Sequence, residues 1–164
     1  MMKQKGFSLI ELLIVVVVIG IIAAIAIPNL LAARRSSNDA SAITSIRIIS
    51  SGEQTFKQTA GNGEYGTLVD LHNAQIVDEV LGSGAKSGFT FNVVPIAPAD
   101  PNPAFFDAYG NAGVFGNVPT ATGNRNFYVN ESGVIYENTA GQDNPPDATS
   151  NVNRTVINGT ILDE

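Results

Sequence analysis

One carboxylate stands near the start of the first apolar stretch of the chain. Glu11 is followed by residues 12–27, none of which is polar. In the hydrocarbon core of a membrane an ionised side chain costs about 2.5 to 3.5 kcal/mol or more, so a tolerated one usually has a partner or a task. Glu11 is therefore the first candidate functional residue, and an ion pair is the chemistry that its carboxylate offers.

Residue types suited to catalysis or metal binding are scarce elsewhere in the sequence. The chain has no cysteine and one histidine, His72, which has no patterned carboxylates beside it to complete a ligand set. The Gly-Ser-Gly string at residues 82–84 is followed by neither a phosphate-binding lysine nor a nucleophile motif. We therefore expect no enzyme activity, no catalytic residue and no cofactor, and we expect His72 to lie at the surface.

Length and charge narrow the class of protein further. A chain of 164 residues leaves room for one modest globular domain after the apolar segment. The formal net charge is −6, and the lysines and arginines are scattered along the chain. Since phosphate binding needs clustered basic residues, nucleic acid is not expected as a main partner.

Residues 7–33 are long and apolar enough to cross a membrane as a helix. Their only polar residues are Ser8, Glu11 and Asn29, and at about 1.5 Å per residue such a helix spans a core of roughly 30 Å. Lys3 and Lys5 precede it, which by the positive-inside rule holds the start of the chain in the cytoplasm. The alternative is an ordinary signal peptide cleaved after residues 24–26, which leaves Glu11 unexplained.

The string KGFSLIELLIVV, residues 5–16, resembles the amino-terminal segment of type IV pilins and of the pseudopilins of type II secretion. The resembling elements are a short basic leader, Gly6, Phe7, the small residue Ser8, and Glu11 before unbroken apolar residues. The resemblance implies that prepilin peptidase removes residues 1–6 by cleavage between Gly6 and Phe7 and N-methylates the new amine of Phe7. The anchor then remains in the mature chain.

The same resemblance implies a task for Glu11. Cleavage leaves an α-ammonium on Phe7, and Glu11 of one subunit pairs with the Phe7 amine of a neighbour in the filament. Desolvation offsets much of the attraction within a buried ion pair, so we expect the pair to specify register more than net stability. The alternative is that Glu11 reaches the lipid headgroups near the helix end.

Two residues weaken the anchor helix. Gly20 is a poor helix former, and Pro28 removes a backbone donor and clashes with the preceding turn. In filaments of the resembling family, a stretch bounded in this way can lose helicity and give the filament flexibility. The alternative is an ordinary kink in a membrane helix.

The helical pattern continues over residues 34–60 as an amphipathic half. Its apolar stripe is predicted to lie against a sheet and comprises Ala42, Ile46, Ile49, Phe56 and Ala60. Its polar face is predicted to comprise Asn38, Asp39, Ser45, Glu53 and Lys57. We expect an α+β fold, a pilin-like ladle in which this helix packs on a small antiparallel sheet head.

The head is predicted to occupy residues 61–138. Thr67 and Asp70 have capping-box spacing for a short helix ending at Leu71, and a second short helix is predicted over residues 76–81. Residues 89–93 alternate as a half-buried strand, and a loop is predicted at the four prolines 95, 98, 101 and 103. Further strands are predicted at 105–109, 112–115, 127–129 and 134–136, with a turn at 130–133 whose Gly133 suits a positive φ.

Residues 139–164 form a polar tail, with Pro145-Pro146 and a tight hairpin predicted around Asn158-Gly159. The strings EYGTL, SGFTFNVV and GNRNFYVNESGVIYEN resemble the heads of pilin-like proteins, whereas the cysteine pair of many type IVa pilins is missing. The resembling major pseudopilins bind calcium near the carboxy terminus. Four acids of this tail could supply oxygen ligands to calcium, but their spacing matches no calcium loop, and we predict no metal site there. These acids are Asp143, Asp147, Asp163 and Glu164.

Three functions follow from these observations. The first is a structural pilin subunit that is stored in the inner membrane with its N-terminus in the cytoplasm and then assembles into an extracellular type IV pilus, used for adhesion and twitching motility. The implied partners are copies of itself, prepilin peptidase, the inner-membrane assembly platform and, before assembly, the lipid bilayer. The second is a pseudopilin of a type II secretion system, and the third is a secreted binding domain or enzyme behind an ordinary signal peptide.

Overall fold

The computed structural model describes residues 6–139, 146–148 and 154–162. It divides into two units, of which the first ends at Arg34 and the second begins at Arg35. The basic leader residues Lys3 and Lys5, and Pro145, Asp143, Asp163 and Glu164 of the tail, lie outside the described residues. The elements are one long helix, two short helices and an antiparallel sheet, which confirms the predicted α+β class.

The long helix α1 runs from Leu9 to Gln58 without interruption. Within the first unit nearly all of its large apolar side chains are exposed, and by length and composition this helix can cross a membrane. Gly61 and Gly63 close its other end, where their N–H groups donate to the carbonyls of Phe56 and Lys57 at 2.7 and 2.9 Å. The helix thus ends two residues before the predicted residue 60.

Six strands form the main sheet of the second unit. Their order is β1-β2-β3-β4-β5-β8, and every neighbouring pair is antiparallel. A separate two-stranded sheet pairs β6 with β7. The bounds are β1 Ala85–Lys86, β2 Phe89–Ile96, β3 Phe105–Ala112, β4 Asn126–Asn130, β5 Ile135–Asn138, β6 Asp147–Ala148, β7 Val156–Ile157 and β8 Thr160–Ile161.

The core lies between α1 and one face of the main sheet. Ala42, Ile46 and Ile49 of α1 are buried there, as the apolar stripe predicts, while Phe56 is partly buried and Ala60 is exposed. Alternate residues of β2 join this core, so the predicted period of two is confirmed. The closing hairpin is also confirmed, since Tyr128 pairs with Tyr136 and Gly133 has a φ of 74°.

The two short helices differ from the prediction in their bounds. Helix α2 (Leu68–Asn73) carries the predicted capping box of Thr67 and Asp70 but continues two residues past Leu71. Helix α3 spans Glu79–Gly82 and not residues 76–81, because the Asp78 carboxylate accepts the Leu81 N–H at 2.7 Å and caps the helix there.

Two strand predictions are wrong in extent. Strand β2 continues through Pro95, where a loop is predicted. One side of β2 pairs with β3 along its whole length, whereas past Thr90 the other side pairs with no described strand. Pro95 therefore lies at a sheet edge, where a missing N–H is tolerated. Strand β3 continues through Gly110 and Asn111, where a break is predicted. A Cβ at residue 110 would lie 3.0 Å from the Phe91 ring and 3.3 Å from Ile46, so Gly110 lets helix and sheet approach closely.

The hairpin predicted around Asn158-Gly159 is wrong. The segments on its two sides form strands β7 and β8, but β7 pairs with β6 and β8 pairs with β5. Asn158 does take a positive φ of 60°. The chain therefore changes from one sheet to the other at this turn, because β8 adds to the edge of the main sheet.

Candidate functional site

The predicted cleavage site lies in the segment that precedes helix α1. Gly6 and Phe7 are outside the helix, and the Phe7 side chain is 92% exposed. A side chain at residue 6 would meet no atom within 4 Å. Both residues are therefore accessible from solvent. Cleavage between Gly6 and Phe7 stays a prediction.

Glu11 lies in the first turn of α1 and receives a hydrogen bond within its own chain. Its Oε2 accepts the Ser8 backbone N–H at 2.8 Å. This is half of a capping box, in which an acid three residues into the helix satisfies the N–H of the residue before the helix. The spacing Ser8-Leu9-Ile10-Glu11 is the sequence signal for this cap.

Gly20 and Pro28 both lie inside the continuous helix. No atom lies within 4 Å of a Cβ built on Gly20, and Pro28 leaves one backbone hydrogen bond unmade. The structure brings neither residue near another candidate residue. Their weakening effect in an assembled filament stays a prediction.

Three residues assigned to the polar face of α1 are buried instead: Asp39, Ser45 and Glu53. Glu53 is fully buried, and its Oε2 accepts the Gly66 N–H at 3.0 Å. Its Oε1 is buried without a hydrogen-bond partner among the described residues. Burial raises the pKa of Glu53 to about 7; the Gly66 N–H opposes this rise and the nearby Asp70 carboxylate adds to it.

Asp39 connects α1 to a different loop, the one that contains Asn124 and Arg125. Its Oδ1 accepts the Asn124 N–H at 3.3 Å, and its Oδ2 lies 3.6 Å from the Arg125 Nε. Burial raises the pKa of Asp39 above its ordinary value, against the lowering effects of Asn124 and Arg125. Both acids therefore serve helix packing, because each one satisfies a loop N–H that would otherwise be buried unpaired.

Arg154, which belongs to the tail, has a role in the fold that no sequence pattern predicts. Its guanidinium contacts Asp107 Oδ1 at 2.6 Å and Glu131 Oε2 at 2.8 Å, and it donates to the Phe106 carbonyl at 2.8 Å. Nothing in the sequence near Arg154 signals these partners, since Glu131 and Asp107 are 23 and 47 residues away.

His72, which is predicted to lie at the surface, is half-buried, and its Nδ1 lies 3.4 Å from the Val77 carbonyl. The described residues contain no group of three histidines, cysteines or acids suited to a metal ion. Of the predicted tail acids, Asp147 is described, and its Oδ1 accepts the Tyr109 hydroxyl at 2.7 Å.

The N-terminal segment of the chain is similar to known proteins. Residues 1–27 match the family model described as the prokaryotic N-terminal methylation motif. The chain is 64% identical over 39 residues to the type IV wide pilus major component PilA4 of Thermus thermophilus, which covers 24% of this chain and 30% of that protein. It is 43% identical over 54 residues to the type IV major pilin protein PilA of Myxococcus xanthus, covering 33% and 24%.

A longer and weaker similarity reaches into the head. The chain is 28% identical over 103 residues to the type II secretion system core protein G of Escherichia coli, covering 60% of this chain and 67% of that protein. By contrast, the matched part spans less than a third of the length of the first two relatives. No solved structure is significantly similar. The resemblance found in residues 5–16 is thus confirmed.

Proposed function

We propose that this chain is a structural pilin subunit that assembles by helix packing into an extracellular type IV pilus. One observation carries the proposal. An N-terminal methylation motif matches residues 1–27 and overlaps an unbroken helix, and nearly all large apolar side chains of this helix are exposed within the first unit. Such a surface needs lipid or other helices as its surroundings. Similarity to two type IV pilins supports the same conclusion.

Processing is the first step of the proposed function. Prepilin peptidase cleaves between Gly6 and Phe7, N-methylates Phe7, and leaves the helix attached as an inner-membrane anchor. In support, Gly6 and Phe7 precede the helix, and Phe7 is exposed. Before assembly the N-terminus lies in the cytoplasm; the assembly platform of the inner membrane then adds the subunit to the filament.

Mass spectrometry of the mature N-terminus in the native cell tests this step. We expect a chain that begins at methylated Phe7. A chain that begins at Ile27, after cleavage at Ala24-Ile25-Ala26, would instead indicate an ordinary signal peptide and a secreted domain. That result would remove the anchor and contradict the pilin proposal.

A pseudopilin of a type II secretion system is the second candidate function. The observation in its favour is the similarity to core protein G of Escherichia coli, which covers 67% of that protein. Fibres sheared from the cell surface and deletion of the gene separate the two. If the chain is a pilin, it is found in the fibres and deletion of its gene removes them. If it is a pseudopilin, deletion of its gene leaves surface fibres unchanged, and proteins that are normally secreted stay in the periplasm.

A further inference from the structure

Three tyrosines from adjacent strands form one cluster on the sheet face opposite α1. Tyr109, Tyr128 and Tyr136 are cross-strand partners on β3, β4 and β5, and we call this cluster the tyrosine face. The ring centroids of Tyr109 and Tyr128 are 5.4 Å apart, and those of Tyr128 and Tyr136 are 6.3 Å apart. Tyr128 is 0% exposed, so other residues of the second unit must cover this face.

The C-terminal segment, residues 146–148 and 154–162, supplies the cover. Strand β8 pairs with β5, and the Leu162 N–H donates to the Ile135 carbonyl at 2.9 Å. On the far side of the face, the Tyr109 hydroxyl donates to Asp147 at 2.7 Å. Gly159 packs so closely that a Cβ there would lie 3.1 Å from the Tyr136 Cβ.

Among the described residues of this segment, Arg154 makes the most side-chain hydrogen bonds to the sheet and its turn. Its Nη2 lies 2.6 Å from Asp107 Oδ1 and 2.8 Å from Glu131 Oε2, and its Nε donates to Glu131 Oε1 at 2.9 Å. The guanidinium carbon also lies 5.1 Å from the centroid of the Phe105 ring. The side chain is only 10% exposed, so this is a largely desolvated ion pair with two carboxylates.

The same network reaches the tyrosine face directly. Asp107 Oδ1, which binds Arg154, also accepts the Tyr128 hydroxyl at 2.6 Å. Loss of the guanidinium would leave Asp107 and Glu131 without their cation in a partly buried place, which is costly. The remaining strand contact is short, since β8 pairs through only two residues, Thr160 and Ile161.

We propose that Arg154 is the clasp that holds the C-terminal segment over the tyrosine face. The chain has no cysteine, so no disulfide assists this closure. Because the ion pair is largely shielded from water, salt screens it weakly. The clasp is independent of whether the subunit enters a pilus or a pseudopilus.

Tyrosine nitration of the full chain in detergent micelles tests the clasp. Nitrated residues are mapped by mass spectrometry after brief exposure to tetranitromethane. In R154A we expect nitration of Tyr128 to accelerate by about 100-fold, as follows from breaking one side of a buried ion pair. Tyr65, which packs in the core on the α1 side, serves as the internal reference and should not change.

Two further conditions make the test specific. R125A is the matched control, because Arg125 also pairs with two carboxylates, Asp39 and Glu137, but its guanidinium contacts no residue of the C-terminal segment among its described contacts. It should leave Tyr128 protected. Salt at about 1 M should not raise nitration of Tyr128 in the unmodified chain, because the ion pair is largely shielded from water.

R154K covers the case in which R154A loses its helical and strand signal in circular dichroism. Lysine keeps the charge but cannot bridge both carboxylates through a planar fork, so its Tyr128 nitration rate should be intermediate. Tyr128 protection in R154K equal to that of the unmodified chain, or in a folded R154A, would overturn the clasp.

Discussion

At the scale of single residues, the carboxylate of Glu53 departs furthest from the amphipathic pattern of its helix. It is fully buried, one oxygen accepts the Gly66 N–H, and the other has no hydrogen-bond partner among the described residues. Burial raises its pKa from 4.5 to about 7. The charged group that acts on it is Asp70 on α2, whose carboxylate adds to this rise.

This environment makes folding stability depend on pH in a defined window. Between pH 4.5 and about 7 the folded state binds the Glu53 proton more tightly than the unfolded state does, so the free energy of unfolding falls as pH rises. The contribution is complete below the lower value and is lost above the upper one. Its size is on the order of 3 kcal/mol at most.

E53Q should remove this slope. We expect the free energy of unfolding of the original chain, measured by chemical denaturation in detergent, to fall from pH 5 to pH 7.5. The free energy of unfolding of E53Q should fall less, because glutamine does not titrate. The difference between the two chains isolates Glu53 from other groups. Parallel pH profiles for the two proteins would contradict the assignment.

Glu11 has two separable roles, a cap within its chain and the proposed ion pair between chains. Glutamine at this position can still accept the Ser8 N–H, as Glu11 does at 2.8 Å, but it carries no charge. If the ion pair with the Phe7 amine guides assembly, E11A and E11Q should both retain processing and membrane insertion while incorporation into filaments falls sharply. Filament yield from sheared cells measures this.

The comparison between the two variants distinguishes the roles. Loss of incorporation in E11A with normal incorporation in E11Q would mean that the helix cap, not the charge, matters. Normal incorporation of both would mean that Glu11 does not guide assembly.

At the scale of elements, α1 is continuous across two positions that disfavour a helix. Replacing glycine by alanine inside a helix stabilises the helix by about 1 kcal/mol, and replacing proline by alanine stabilises it by about 3 kcal/mol. If residues between Gly20 and Pro28 lose helicity in the filament, the double variant G20A/P28A should give stiffer filaments. Their persistence length, measured from images of sheared fibres, should rise.

A matched control uses a position on the same helix without a helix-breaking residue. L30M exchanges two residues of nearly equal helix propensity and should leave filament stiffness unchanged. Equal stiffness of the original and G20A/P28A filaments would mean that these residues produce only a kink.

Strand predictions failed where the environment overrode a local signal. Gly110 reads as a break, but the approach of Phe91 and Ile46 requires a residue without a side chain inside β3. Pro95 reads as a loop, but its strand lies at an edge over that part of its length. Both residues are strand breakers by propensity, and only their neighbours make them suitable.

At the scale of the whole molecule, the two units have different surface chemistry. The first unit exposes large apolar side chains, whereas the second contains a closed core of buried residues from α1 and the sheet. We therefore expect residues 35–164 to fold in water without detergent, while the full chain requires it. Circular dichroism and size-exclusion chromatography check this.

The expected result is a monomer with mixed helix and strand signal. The hydrophobic-to-charged variant I46D of the same fragment serves as the control, because Ile46 is fully buried in that core, and it should not fold. Aggregation of the unmodified fragment would show that the second unit depends on the first.

The sequence by itself determined the features that depend on neighbours along the chain. These are the apolar helix, the motif from Gly6 to Glu11, the alternation of β2, and the capping box of α2, because periodicity and short spacing control them. Only the tertiary structure decided which polar residues are buried and where the tail docks. Glu53 meets Gly66, and Arg154 meets Asp107, across 13 and 47 residues. Contacts at such separation follow from the path of the whole chain, which no local pattern encodes.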